Sequence, residues 1–596
     1  MGVGVGVGYN LALSRSEVLL MLGQGLLRRI FVLVVLTLVT VVVVPGVMAP
    51  SASAEVGCST DSFEVDNFED LRDAINCYNA STAVDYTITL SGDIVISEEL
   101  PLIGNNLSEG MLGNLTIDGA SQWGLYADGP QLSGLRIKHE LDNAGLITIQ
   151  NTFVAGFCGS PDETSYVGAI DVGGVARAAL SNVTIISREY FSTGPEYPSE
   201  ICVSVVFRDQ TVGQVADTLI LNYLSNEFFQ GSIFEGLSAG LVAQDESAVL
   251  VKNTGVAGHA YGIVSLNTAK AVVFNSVIFQ NYYGITNINA AIVVVNSSFS
   301  YNQVGLVMIP GEMIPGEASG ATAEVWFSTI TDNGIADDFS EGDFFSSGGG
   351  VLAVEGTSLN LYSSLLSDNS LNCANAEEGF FLPPFVGGEG FPGGVNNFSS
   401  GDGSCPDSFE TLSEGSLADF DDNGCVTTVE ILTDDSFASC LPTAELLASS
   451  NAVGAGDCSN VPVISEGWDI SSGSFEDLLV SGLLTFDQRG FTRSGSCDAG
   501  AYQRNGIAPT PEAGSAAPVP YPGPFTQMPE LAGAPYGWGT SPVPAASPET
   551  PTAAAVAGDG VAGLAHTGTT TTTLAYLAVG LIGFGALLVP VSRRRN

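Results

Sequence analysis

Basic residues are what this 596-residue chain has least of. Its 17 Lys and Arg and three His stand against 64 Asp and Glu, a formal charge of −47 at neutral pH. The shortage is uneven: no Lys or Arg occurs from Ala271 to Gln488, while the first 54 and the last 28 residues hold three each. The part between those ends carries 63 acids against 11 bases. Such a surface repels nucleic acid and anionic lipid, so neither is an expected partner. Other absences narrow the chemistry. There is no HExxH and no GxxxxGK[ST], which removes the usual zincin and P-loop frameworks. The ten cysteines form no CxxC pair, and the third histidine, His566, stands near the far C-terminus, leaving His139 and His259 in the body of the chain. A zinc site is therefore not expected.

The two ends read as addresses. Arg28 and Arg29 precede fifteen apolar residues, Ile30 to Val44, and after Pro45 the run "APSASA" offers Ala52 and Ala54 as the small residues a signal peptidase accepts. Cleavage after Ala54 is predicted, so residues 1–54 form a signal peptide, with Met21 as an alternative start. The run is short for a membrane span of ~20 residues. At the other end, "LAHTG" (Leu564 to Gly568) is followed by five Thr, an apolar stretch over 574–591, and Arg593 to Arg595. An apolar segment of that length spans a bilayer, and the arginines hold its end in the cytoplasm. Between Ala508 and Gly560 lie 12 of the 28 prolines. This composition cannot bury a core and predicts an extended stalk over 508–563.

Pentapeptide, apolar run and arginines together resemble the sorting signal of Gram-positive wall proteins in its LAxTG variant. The resemblance covers residues 564–596. It implies that a sortase reads Leu564, Ala565, Thr567 and Gly568, cuts after Thr567, and joins Thr567 to peptidoglycan. An even number of cysteines in an oxidising compartment predicts disulfides. Neighbour pairing (58–77, 158–202, 373–405, 425–440, 458–497) is one pattern among many, and sequence does not choose between them.

The middle of the chain repeats. Gly240, Gly262, Gly284 and Gly305 open similar segments spaced 22, 22 and 21 residues apart, each with short β-branched runs between polar turns. Asn253, Asn275 and Asn296 fall in register, as do Asn281 and Asn302, and looser copies such as "AGLITIQNT" and "AALSNVTIIS" lie upstream. A period near 22 with three short strands is the pattern of a parallel β-helix, in which coils stack because none can bury its apolar face alone. The glycines are expected at equivalent turns and the asparagines in a hydrogen-bonded stack. Asn67 is placed to cap a helix "FEDLRDAINCYN" that shows Phe68, Leu71, Ala74, Ile75 and Tyr78 on one face.

Three further stretches carry a family resemblance. Leu71 to Asn76 with Asp85 to Leu90 resembles the LREAI…DTIxL start of secreted right-handed β-helix proteins, although Asp70 stands where Cys is usual. "DQRGFTRSGSCDAGAY" (Asp487 to Tyr502) resembles the DQRG…CDxGAY close of the same group. "LLASSNAVGAGD" (Leu446 to Asp457) resembles its LLPGSPAIDAGD, departing at Asn451 and Gly454. The family carries no single activity, so the resemblance implies architecture only. The predicted organisation is an all-β chain: signal peptide 1–54, N-terminal cap 55–84, right-handed parallel β-helix 85–375, disulfide-containing capping region 376–507, stalk 508–563 and sorting segment 564–596.

Two chemistries remain. "DFDDNGCVTTVE" fits the D-x-D-x-N-G-x5-E spacing of a calcium-binding EF-hand loop, with Asp419, Asp421, Asn423 and Glu430 as side-chain ligands. No clear helix precedes it, Cys425 is expected in a disulfide, and the same residues resemble the LADNGGPTLT turn of the β-helix family. Polysaccharide lyases need a basic side chain and hydrolases paired carboxylates. The available bases are Lys252, Lys270, His259 and the upstream Arg136, Arg177, Arg188 and Arg208, while Asp337, Asp338, Glu341 and Asp343 sit in a Gly- and Ser-flanked loop. The expected role is therefore a wall-anchored surface protein for adhesion, carbohydrate or surface contact, or envelope structure, with a glycan-active lyase or hydrolase as the alternative. One feature separates them: an in-register cluster of Asp with Arg or Lys on adjacent coils favours the enzyme, and a smooth face favours display.

Overall fold

The computed structural model of the chain describes residues 58, 60–81, 85–104, 113–128, 132–140, 145–157, 168–187, 202–222, 238–310, 320–334, 349–354, 356–376, 394–421, 443–493 and 496–507. The signal peptide with Ala52 and Ala54, the stalk, the sorting motif at Leu564, Ala565, Thr567 and Gly568, and the apolar segment 574–591 lie outside these residues. Among the described residues no helix is long and apolar enough to cross a membrane.

Strands recur in threes. Tyr261–Leu266, Lys270–Phe274 and Val277–Phe279 make one coil, and Tyr283–Ile288, Ala291–Val295 and Ser298–Ser300 the next. Each strand pairs in parallel with its counterpart one coil on. The register runs Ile263, Ile285, Leu306 on one side, Val273, Val294, Val325 on the second, and Ile278, Phe299, Ile330 on the third. The result is a parallel β-helix with three ladders. One ladder is a nine-stranded sheet from Leu135–His139 to Cys373–Ala376, and the ladder of Ser62–Val65 and Tyr86–Leu90 begins earlier. Toward the N-terminus the coils are longer, since Ile170, Val205 and Leu241 are successive register partners there.

Period-2 alternation explains the interior. Val249 and Val251, Ala271 and Val273, Ile292 and Val294, and Ala323 and Val325 point inward and are buried, in strands whose β-branched residues favour extended backbone. At the N-terminal end, helix Phe68–Ala80 closes the core: Asn67 accepts the Asp70 amide at 3.0 Å, and Leu71, Ala74, Ile75 and Tyr78 are buried while Phe68 packs against the core at its edge. The helix is thus capped and faced as expected.

The asparagines form two columns. Asn151, Asn182, Asp217, Asn253, Asn275 and Asn296 all take φ between +49° and +54°, a left-handed turn that Asn and Asp tolerate best among residues with a side chain. Asn253, Asn275 and Asn296 are therefore equivalent, and Asn296 donates to Asn275 at 2.7 Å. The continuous ladder is the other column. Asn281, Asn302, Asn333 and Asn369 are buried; each donates from Nδ2 to the next Oδ1, at 3.1, 3.0 and 2.8 Å. Each Oδ1 also takes the main-chain amide of the preceding member at 3.0 Å.

This inner ladder corrects the expectation for the glycines. Gly262, Gly284 and Gly305 are equivalent, but they lie inside strands Tyr261–Leu266, Tyr283–Ile288 and Val304–Ile309 rather than at turns. A Cβ on Gly284 would sit 2.4 Å from the Gly305 carbonyl and 3.2 Å from the Asn302 amide. Glycine is required by close approach, because the asparagine ladder fills the adjoining corner.

The C-terminal part does more than close the end. Residues 443–507 run back along the side of the helix, from Ser363, whose carbonyl accepts the Gly500 amide, to Arg177, whose guanidinium binds the Ile470 and Gly473 carbonyls. Leu478 packs on Leu250 and Val272, and Val461, Leu484 and Cys497 pack on Val295 and Phe327. Arg493 fastens this strap: it binds Asn296 Oδ1 at 2.8 Å and the Asp498 and Gly500 carbonyls, over the Phe327 ring. Disulfides join Cys373 to Cys405 and Cys458 to Cys497, in agreement with neighbour pairing. Cys58, Cys77 and Cys202 are each disulfide-bonded, whereas Cys158, Cys425 and Cys440 lie outside the described residues.

Candidate functional site

Outward-facing positions decide what a β-helix presents, since its inward positions are spent on the core. On the nine-stranded sheet, strand Leu135–His139 turns Arg136 and Lys138 outward, and strand Gly168–Gly174 turns Asp171 outward between the core residues Ile170 and Val172. Arg136 and Asp171 are direct register partners, so their side chains stand on neighbouring rungs. Arg208 follows the third strand, Cys202–Phe207, and lies back across Gly173 so that its Nη2 donates to Asp171 Oδ2 at 2.6 Å. A Cβ at residue 173 would meet the Arg208 Nε at 3.2 Å and Asp209 Oδ2 at 3.3 Å, so the two side chains lie close over this glycine.

Three cations thus surround one carboxyl. Their side chains are 30%, 46% and 23% exposed for Arg136, Lys138 and Arg208, whereas Asp171 is 2% exposed and set deeper. Arg136 also meets Glu99 at 3.0 Å, and Lys138 is 3.7 Å from Glu140. Asp209, beside Arg208, accepts the Gly174 amide at 2.8 Å. Asp171 Oδ1 has no hydrogen-bond partner among the described residues. Burial pushes the Asp171 carboxyl up to about 6; Arg208, Arg136 and Lys138 pull it back, and Asp209 adds to the rise. A buried carboxyl with a free oxygen and a pKa near neutrality can give or take a proton, and the guanidinium groups can pair with an anion.

The other bases named from sequence are not gathered here. His259 is fully buried below the asparagine ladder, where Asn281 Oδ1 accepts its amide, and burial lowers its ring to about 3. His139 faces inward and is lowered to about 4 by burial. Lys270 is tied to Glu476 at 2.9 Å and Arg177 to the strap, while Lys252 ends strand Ala248–Lys252 with no ion pair among the described residues. Arg188 and the acids Asp337, Asp338, Glu341 and Asp343 lie outside the described residues. Asp419 and Asp421 belong to strand Leu417–Asp421, paired antiparallel with Thr443–Leu446. That extended backbone is not the helix-to-loop junction of an EF-hand; Asn423 and Glu430 lie outside the described residues. No cluster of three or more metal-ligating side chains occurs among the described residues.

Arg136 and Arg208 stand out in the sequence as bases, whereas Lys138 and Asp171 do not. An acid between two core-facing apolar residues in "GAIDVGG" was the available signal. No family model and no curated protein matches the chain. Among solved structures it is similar to the A-modules of two Azotobacter vinelandii mannuronan C-5 epimerases. With AlgE4 the identity is 13%, over 57% of this chain and 86% of that one, at a TM-score of 0.34. With AlgE6 it is 12%, over 57% and 97%, at 0.28.

Proposed function

We propose that this is a secreted, wall-anchored β-helix protein that contacts carbohydrate through the Arg136–Lys138–Asp171–Arg208 face. The observation that carries the reading is the cluster itself, an in-register group of charge on an otherwise base-poor protein. Rungs ~4.8 Å apart give an elongated surface on which a polymer can lie along the coils. Anchoring rests on the LAHTG motif, the apolar run and the arginines, with a sortase joining Thr567 to peptidoglycan. Thr567→Ala is expected to move the protein from the wall fraction to the membrane or medium; retention in the wall overturns the anchor. For the contact itself, a glycan array probed with the full chain and with Arg136→Gln is the test. Ligands are expected that the variant loses, and an array without hits sinks the reading.

Catalysis is the second reading; the cluster supports carbohydrate contact in either case, and as an in-register group of Asp with Arg and Lys it favours turnover over passive display. Asp with Arg and Lys in register on adjacent coils is the feature that separates a glycan-active enzyme from a smooth display surface. Asp171, poised near neutrality beside cations, would be its acid–base group. Product analysis on any bound glycan decides: release of reducing or unsaturated ends, abolished by Asp171→Asn, establishes turnover.

A further inference from the structure

Asp171 has a feature that its ion pair leaves unused. One oxygen is held by Arg208, while the other is buried without a partner among the described residues, beside the rung that carries Arg136. A buried polar atom without a partner costs about 1–3 kcal/mol, so an occupant that supplies the partner is favoured. The neighbouring groups define that occupant. Arg136 and Lys138 lie on the preceding coil, with Glu99 and Glu140 as their exposed partners; Arg208 and Asp209 lie on the following one. Glu99 and Glu140 have side chains 58% and 74% exposed, and exposed ion pairs of this kind are worth little. An incoming anion can displace them. A neutral sugar has no use for three cations, and a planar carboxylate matches the fork of a guanidinium.

Resting on the carbohydrate reading above, we propose that this cluster is a subsite for a carboxylate-bearing sugar unit, whose carboxylate is taken by Arg136, Lys138 and Arg208 while Asp171, as the neutral acid, donates from Oδ1. The arrangement makes recognition depend on pH. Sugar carboxylates, with pKa near ~3.5, stay ionised at pH ~5, whereas Asp171, raised to about 6 by burial, is still protonated there. Above that, Asp171 becomes an anion facing the ligand and loses its donor.

Calorimetric titration of the full chain with oligogalacturonate, a sulfated oligosaccharide of matched charge and a neutral oligosaccharide, at pH ~5 and ~7.5, tests this. Oligogalacturonate is expected to bind best at the lower pH, and at least about tenfold more weakly to Arg136→Gln and Arg208→Gln. Lys270→Gln, in a separate ion pair with Glu476, is expected to leave it unchanged. Because Arg208→Gln also unpairs Asp171, Arg136→Gln is the variant that speaks for the cations alone. Asp171→Asn keeps shape and a donor without the charge, so it is expected to bind equally at both pH values. Equal affinity for the sulfated probe makes the cluster a general anion patch and overturns the inference, as does Asp171→Asn retaining the wild-type pH dependence. Neutral oligosaccharide bound in preference, and lost in Arg136→Gln, leaves the carbohydrate reading standing and sinks this one. No binding of any probe sinks both.

Discussion

Two outer faces of the same β-helix have opposite characters. On the flank built by Ala248–Lys252, Lys270–Phe274 and Ala291–Val295, the outward residues include Leu250, Val272, Val293, Phe274 and Val295, which the C-terminal strap covers, with Lys252 and Lys270 at the strand ends. On the nine-stranded sheet at Leu135–His139 and Gly168–Gly174, the outward residues are Arg136, Lys138 and Asp171. The inward residues of both are the same kinds of Val, Ile, Leu and Ala. Stacking therefore dictates one side of every strand and leaves the other free. On the first flank the free side is mainly apolar and the strap covers it; at Arg136, Lys138 and Asp171 it is charged.

The comparison breaks most severely if the shared interior is disturbed. Asn302 accepts two hydrogen bonds from Asn281 and donates to Asn333 Oδ1 and the Ile278 carbonyl, all within the buried corner. Asn302→Ala leaves the Asn281 amide without its acceptor, at about 1–3 kcal/mol. It also forfeits three further buried hydrogen bonds at about 1 kcal/mol each, although Asn281 Nδ2 and Asn333 Oδ1 keep other partners. A loss of about 5 kcal/mol is expected in denaturant titration. Each coil contacts only its neighbours, so the damage spreads to both. A loss below about 1 kcal/mol would mean that the ladder decorates the corner and does not hold it.

Next in size is the covered flank. Arg493 is buried and makes its bonds to Asn296, Asp498 and Gly500 from the strap side. Burial lowers its pKa to about 10, still charged at neutral pH. Arg493→Met gives up charge-assisted bonds worth about 1.5–3 kcal/mol each and strands their acceptors. About 4 kcal/mol of strap docking is expected to be lost. Limited proteolysis should then cut within 443–507 while the circular dichroism of the coils persists. Simultaneous loss of coil signal would show that strap and helix fold as one unit and that the flank is not an independent surface.

How much of this was legible in sequence follows from spacing. Between Gly240 and Gly305 the coils are free of insertions, so the period, the equivalent turns at Asn253, Asn275 and Asn296, and the pairing of Asn281 with Asn302 were all readable. Asn333 and Asn369 continue that ladder after longer stretches of chain, and without constant spacing their register was lost. The glycine positions were readable, but their role was not, because only the structure shows the neighbouring carbonyl and the Asn302 side chain. The strap was hidden for a different reason. Its motif Asp487 to Tyr502 was recognised as an ending, yet nothing in a linear motif tells that Arg493 reaches Asn296. Asp171 and Arg208 meet across coils of uneven length, 37 residues apart, where periodicity gives no guide.

The smallest expected effect concerns the charged face, and its sign separates that face from the apolar flank. Asp171 is raised from 3.8 in the ordinary state to about 6 in the fold, chiefly by burial, against the opposing pull of Arg208, Arg136 and Lys138. The folded protein therefore holds this proton more tightly than the unfolded chain does. The stabilisation from protonating Asp171 is fully present below pH ~4 and is lost as pH rises through about 6. A shift of that size corresponds to about 2–3 kcal/mol. Asp171→Asn is neutral at every pH and keeps a similar volume, so it lacks this dependence. The stability of wild type relative to Asp171→Asn is expected to fall by about 2 kcal/mol between pH ~4 and pH ~7, measured by denaturant titration across the range. A variant on the covered flank, Val272→Ala, should show a loss that does not change over the same range, since no charge is involved. If the wild type instead gains on Asp171→Asn as pH rises, the three cations outweigh burial, Asp171 is an ordinary ionised partner, and the charged face is held together by its ion pairs at neutral pH.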